Sequence, residues 1–179
     1  MTLSVRRARA ADADALAELA ERSFRTTYSG LIDEATIEVV ISQACTPDTF
    51  ALLVRRDHPD RLLVAEDADV LLGFLDFAQE PDGLELRRLY ARAGQTGRGI
   101  GSALLAALEE ALPVGTSYRI VVVDRNTRGL AFWQRHGFRL RGEVDGVDHF
   151  VRHRGVSFQR GTGTARLLVL QRTVPAPGP

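Results

Sequence analysis

The sequence predicts a mixed α/β fold of the α+β kind, and three observations predict it. Short apolar runs, alternating or β-branched, are bounded by turn residues and read as strands. Stretches with apolar residues at helical spacing lie between them but set up no regular βαβ repeat. The resulting order is strand, helices, three strands, helix, strand, helix, two strands. A length of 179 residues fits one domain, since domains commonly run to about 100–200 residues.

Taken in order, residues 3–8 alternate weakly and form a first strand. Asp12 caps an alanine-rich helix over 13–24, with Leu16, Leu19 and Ala20 on one face. Residues 26–30 read as a turn. A second helix spans 32–44, with Ile37, Val40 and Ile41 at helical spacing; Pro47 stops it, and a shorter helical piece runs over 48–55. Runs 61–66 and 70–77, joined by Asp67-Ala68-Asp69, form an antiparallel hairpin. Pro81-Asp82-Gly83 turns the chain into a strand over 84–91, where Leu84, Leu86, Arg88 and Tyr90 alternate against Glu85, Arg87 and Leu89.

A helix over 100–112 carries Ile100, Leu104, Leu105, Leu108 and Leu112 and ends at Pro113 and Gly115. The β-branched run 118–123 is a buried strand. Asn126 caps a helix that reaches His136, with Gly137 just past its end. Strands over 138–151 and 165–173 close a single domain of residues 1–173, and residues 174–179 form a disordered tail.

Composition excludes several classes. The formal net charge is zero, so neither nucleic acid nor an anionic membrane is an expected partner. The chain contains no lysine, which removes lysine nucleophiles, Schiff bases and P-loop cations. Cys45 is the single cysteine, so no internal disulfide forms. The N-terminal stretch lacks the apolar segment of a signal peptide, and no apolar run approaches the roughly 18 residues of a membrane span. A cytoplasmic location is expected. His149 and His153 have i, i+4 spacing, but in a strand-like stretch without a third ligand; no metal is expected. Residues 152–164, basic and glycine-containing, read as a loop.

The informative feature is the strand–turn–helix at Gln95-Thr96-Gly97-Arg98-Gly99-Ile100-Gly101-Ser102. A helix N-terminus offers unpaired N–H groups and partial positive charge, and glycines let backbone approach an anion, so the segment suits phosphate. Arg98 adds a cation. A Walker A loop is excluded by the missing lysine. A dinucleotide fingerprint needs glycine or alanine as its third member, and counting from Gly97 or Gly99 that place holds Ser102 or Leu104.

The turn resembles instead the acetyl-CoA motif of the GNAT family, Gln/Arg-x-x-Gly-x-Gly/Ala, with the core Gly97-Arg98-Gly99-Ile100-Gly101-Ser102. Upstream, Leu86-Arg87-Arg88-Leu89-Tyr90-Ala91 resembles the strand that precedes that motif. Downstream, the stretch from Asn126 through Phe132-Trp133 to Gly137-Phe138 resembles the family's second signature, Asn-x-x-Ala-x-x-Phe/Leu-Tyr/Phe-x-x-x-Gly-Phe. Two departures stand out: Thr96 occupies the usual Gln/Arg position, and Trp133 the position often held by a tyrosine acid.

The resemblance implies the GNAT fold, a mostly antiparallel sheet flanked by helices and split to hold the cofactor. It implies acetyl transfer from acetyl-CoA to a primary amine by direct attack, with a small-molecule or peptide acceptor and, as is common in the family, a homodimer. It assigns cofactor contacts to Leu89, Tyr90, Ala91, Gly97, Arg98, Gly99, Ile100, Gly101, Ser102, Asn126 and Trp133. Amide groups around Leu89–Ala91 would polarise the thioester carbonyl. An alkylamine is mostly protonated at neutral pH, so a base is needed. Glu85, on the strand entering the loop and by alternation on the face opposite Tyr90, is the candidate, ahead of Asp124 and Asp76. The segment 23–31 resembles the acceptor-covering loop of the polyamine-acetyltransferase-like branch, which assigns Tyr28 to the acceptor pocket. The alternative is a non-catalytic acyl-CoA-binding or regulatory module, since an indole is no acid near neutral pH.

Overall fold

A computed structural model describes residues 2–55, 62–81, 83–144 and 166–176. The described elements are β1 (Ser4–Arg7), α1 (Ala13–Tyr28), α2 (Glu34–Ala44), α3 (Pro47–Arg55), β2 (Leu62–Asp67), β3 (Val70–Glu80), β4 (Gly83–Ala91), α4 (Ile100–Ala111), β5 (Ser117–Val123), α5 (Thr127–Arg135), β6 (Arg139–Val144) and β7 (Leu167–Thr173). The sheet has seven strands in the order β1-β2-β3-β4-β5-β7-β6. Every neighbouring pair is antiparallel except β4 and β5. The expected α+β class and mostly antiparallel sheet are therefore the ones observed. The far end of the strand expected over 138–151, His149, His153 and the loop 152–164 lie outside the described residues.

Alternation along β3 feeds two cores. Phe74 packs with Leu16, Phe24, Ile37 and Phe50 under α1, α2 and α3. Its neighbour Leu75 points the other way, to Leu86, Leu104, Leu108 and Tyr118 under α4. Both sheet faces are thus covered by amphipathic helices, whose apolar stripes supply the burial that drives the fold.

Three local expectations are corrected. The helix expected to stop at residue 24 runs to Tyr28, through the segment read as a turn. The Thr26 hydroxyl donates to the Arg22 carbonyl, and Arg25 pairs with Glu21 at 3.4 Å and with Glu38 at 2.5 Å, so side chains carry the extra turn. Asp12 does not cap α1 through its side chain. Its carboxylate faces back, accepting from the Arg9 N–H at 2.7 Å and from Arg6 at 2.7 Å. Burial pushes the Asp12 carboxyl up, but these partners outweigh it and hold it below its ordinary value. Val174, read as the start of the tail, is buried, and its N–H donates to the Thr116 carbonyl at 2.9 Å.

One irregularity decides the site. In the β3–β4 ladder Asp76 faces Arg88 and Phe77 faces Leu86, so Arg87 is an extra residue on β4. This β-bulge shifts the alternation by one, since strand side chains otherwise switch faces with period two.

Candidate active site

The β4–β5 ladder consists of Leu84–Tyr118 and Glu85–Arg119 and then stops. On their outer sides β4 stays paired to β3, and β5 to β7. The two halves of the sheet therefore splay and leave a cleft of about 860 Å³. Its walls are residues 87–91 of β4 and 120–122 of β5. The turn 93–97 with the start of α4 closes one side, and residues 125–129 with α5 the other. Ser23, Thr26, Thr27 and Tyr28 from the end of α1 line it as well.

The glycine turn feeds helix N–H groups into this cleft. Gly97 and Gly99 have φ of +85° and +80°, left-handed values that an L side chain resists. A Cβ at either position would meet nothing within 4 Å, so conformation rather than crowding requires glycine. The first intrahelical bond of α4 runs from the Ala103 N–H to the Gly99 carbonyl at 2.9 Å. The N–H groups of Ile100, Gly101 and Ser102 precede it and have no helical acceptor. No acidic residue occupies the first turn of α4. An N-terminus so arranged, free of nearby carboxylates in its own turn and open to a cleft, fits an anionic phosphate.

Of the residues assigned by sequence, Tyr28, Leu89, Tyr90, Ala91, Gly97, Gly99, Ile100, Gly101, Ser102, Asn126 and Trp133 line the cleft. Ile100 reaches it by its backbone, because its side chain is in the α4 core. Arg98 does not line it; its guanidinium is turned onto the Gln95 side-chain oxygen. Two cations that do line the cleft come from α5 and the turn just before it. Arg128 donates across the cleft to the Thr96 hydroxyl, at the very position where the family motif carries Gln or Arg. Arg125 donates to the Leu31 carbonyl beside the end of α1. Sequence reasoning passed over both; the signal available was their place on either side of the Asn126 cap, Arg125 just before it and Arg128 in the first turn after it.

The placement of Glu85 on the face opposite Tyr90 is corrected. Glu85 is 0 % exposed, does not line the cleft, and its Oε2 accepts from Arg119 Nε at 3.0 Å. The bulge at Arg87 is the physical reason. Glu85 faces Ala78, two residues beyond Asp76, and Asp76 lies two beyond Phe74, the partner of Tyr90. Glu85 and Tyr90 therefore share a face instead of standing on opposite ones. Asp76 is clamped by Arg88 at 2.7 and 3.0 Å, and Asp124 lies outside the cleft lining. Arg88 also donates to the Ala44 carbonyl at 2.8 Å and lies over the Phe50 ring, so this pair ties β4 to α2 and α3 beneath the acceptor end.

Trp133 is 5 % exposed and packs edge-on against Phe132 and Phe138, with ring centroids 4.9 Å from each. Its main work is to fasten α5 to the sheet. Asn126 is the observed N-cap of α5, its side chain accepting from the Gly129 N–H at 2.9 Å. Tyr28, the last residue of α1, packs at a tilt against Phe24 with ring centroids 4.5 Å apart and lines the cleft. Ser23 Oγ donates to the Ala91 carbonyl at 3.3 Å, joining α1 to the cleft wall. One further contact was not anticipated: Ser102 Oγ lies 2.9 Å from His136 Nε2.

Comparison with known proteins agrees with this architecture. The family model described as acetyltransferase (GNAT) family matches residues 14–138. The chain is 28 % identical over 156 residues to a spermidine N(1)-acetyltransferase of Thermoplasma acidophilum, covering 84 % of this chain and 96 % of that protein. The PaiA N-acetyltransferase of the same organism, solved with coenzyme A, superposes with a TM-score of 0.77 at 22 % identity, over 97 % of this chain and 99 % of that one. An N-acetyltransferase from Staphylococcus aureus Mu50 superposes with a TM-score of 0.68 at 18 % identity, again over 97 % and 99 %. The family match runs through the strands, the glycine turn and the helices that build the cleft: the chain belongs to the GNAT acetyltransferase family and is an acyltransferase.

Proposed function

We propose that this enzyme transfers an acetyl group from acetyl-CoA to a small primary amine. The observation that carries the reading is the splayed β4–β5 cleft with the N-terminus of α4 opening into it. The donor's phosphates would lie against the N–H groups of Ile100, Gly101 and Ser102, with Arg128 nearby. Its pantetheine amides would pair with the inner edge of β4 at Leu89–Ala91. The same edge would polarise the thioester carbonyl, so that negative charge developing on its oxygen meets preorganised N–H dipoles. The likeness to a spermidine acetyltransferase and to a coenzyme A complex supports this donor and an amine acceptor.

The amine attacks the carbonyl carbon, loses a proton, and expels the thiolate. A thiol ionises near pH 8.5, so the thiolate leaves without a protein acid, which suits the core-packed Trp133. We assign the amine's proton to water in the cleft rather than to Glu85. The charged residues lining the described cleft are arginines, among them Arg125 at the acceptor end. They favour an amine that bears an acidic group over a polyamine.

The test is acceptor-dependent release of CoA thiol across spermidine, amino acids, aminoglycosides and N-terminal peptides. We expect turnover on at least one amine, with acidic amines ahead of spermidine and kcat/KM rising with pH toward the amine's own pKa. Tight CoA binding without turnover on any acceptor would replace this reading with that of a binding module. Donors of increasing acyl length place the chain-length limit.

A further inference from the structure

We propose that His136 is a proton-linked positioning residue: it takes up a proton when the donor's phosphate docks at Ser102. The inference rests on the acetyl-CoA reading above and concerns how that site grips its anion.

The argument follows from donors and acceptors. His136 Nδ1 lies 2.9 Å from the Phe132 carbonyl oxygen, which can only accept, so Nδ1 carries a hydrogen. In the neutral ring Nε2 is then a lone pair, and the Ser102 hydroxyl, 2.9 Å away, donates to it. In this state Ser102 turns only its own lone pairs toward the cleft. An ionised phosphate oxygen is also purely an acceptor, so the two repel. One proton from solvent resolves the conflict. Nε2–H then donates to Ser102 Oγ, the hydroxyl hydrogen is released to the phosphate, and a positive imidazolium stands behind it. No covalent bond between heavy atoms changes.

The ring is held for this task. It lies 4.2 Å from the Phe132 ring, one helical turn back, and both its nitrogens are engaged. Among the described residues, the charged groups packed around it are few. Arg135 is its chain neighbour at the end of α5 and lines the cleft. Arg172 of β7 donates to the His136 backbone carbonyl but is itself paired with Glu109 of α4 at 2.6 Å. The docked phosphate is the charge that tips the balance, because imidazole is the side chain whose charge switches between about pH 5 and 8.

The experiment is calorimetric titration of the full-length protein with CoA at pH 7.5, in buffers of different ionisation enthalpy. Dephospho-CoA serves as a second probe because it lacks the 3′-phosphomonoester, which titrates in the same range. We expect the wild type to take up a fraction of a proton per ligand and to bind more tightly as pH falls. His136→Gln can donate to Ser102 without protonation, so it should bind CoA within a few-fold of wild type, with no His-dependent proton uptake and a flat pH profile. His136→Phe keeps the stack on Phe132 and should bind about tenfold more weakly at pH 6.5. Ser102→Ala should also abolish the uptake with His136 intact, which guards against a variant that fails to fold. Equal uptake in wild type and His136→Gln overturns the proposal alone. No binding of CoA by the wild type overturns the donor reading and this proposal with it.

Discussion

At the scale of single residues, two assignments turn on what a side chain is fastened to. Glu85 is the right residue type for a base, on a strand that does lead into the cofactor turn, yet it is buried against Arg119. Its effect should therefore be structural. We expect Glu85→Gln to lower unfolding free energy by about 1–3 kcal/mol, the usual cost of spoiling a buried charged hydrogen bond, as measured by urea denaturation. The pH profile of kcat/KM should keep its wild-type shape; a displaced profile would return Glu85 to the chemistry. Gly97 and Gly99 show the opposite relation between sequence and site. Their spacing was legible in the sequence because left-handed backbone at a helix start leaves few alternatives. What the sequence did not reveal is that Arg98, between them, bonds Gln95 while Arg128 comes from another element to reach Thr96.

At the scale of elements, the start of α5 balances two terms. Asn126 caps the helix by accepting from the Gly129 N–H, and a Cβ at Gly129 would lie 2.7 Å from the Asn126 amide nitrogen. Gly129→Ala should push that side chain off its cap, a loss of about 1 kcal/mol, and gain about as much in helix propensity. Its stability should stay near wild type. Asn126→Ala loses the cap without the gain and should be about 1 kcal/mol less stable in the same denaturation assay. The hairpins, α4 and α5 were legible because period and punctuation agree there. The last turn of α1 was not, because Arg25 is held by Glu38 from α2 and local propensity cannot see that partner. Nor was the bulge at Arg87. A one-residue slip leaves composition unchanged and moves every later side chain to the other face, which is why Glu85 was misplaced relative to Tyr90.

At the scale of the whole molecule, Tyr118 joins layers that lie far apart in sequence. It is buried on β5, meets Phe138 edge-on at 5.3 Å, and donates to Glu109 of α4 at 2.5 Å. Glu109 in turn holds Arg172 of β7. Burial, and then the bond to the Glu109 carboxylate, raise the phenol well above its ordinary value. The folded protein thus keeps a proton that the unfolded chain releases above about pH 10. The stability this contributes is complete below that pH and falls as pH climbs toward the raised folded value. Urea midpoints should therefore drop between pH 9 and 11 in the wild type, and Tyr118→Phe should show a shallower drop.

The short ladder between β4 and β5 has one more consequence. A sheet normally has its unsatisfied backbone at its two outer margins; this one carries an additional pair of margins inside itself, facing each other across the splay. An extended molecule with amides spaced like a peptide's can enter there as a surrogate strand, and main-chain pairing then rewards it whatever its side groups. On the proposed reading, recognition of the donor's arm would be indifferent to side-chain identity along both walls, which would leave the side chains of this cleft open to be tuned for the acceptor without loosening the grip on the donor.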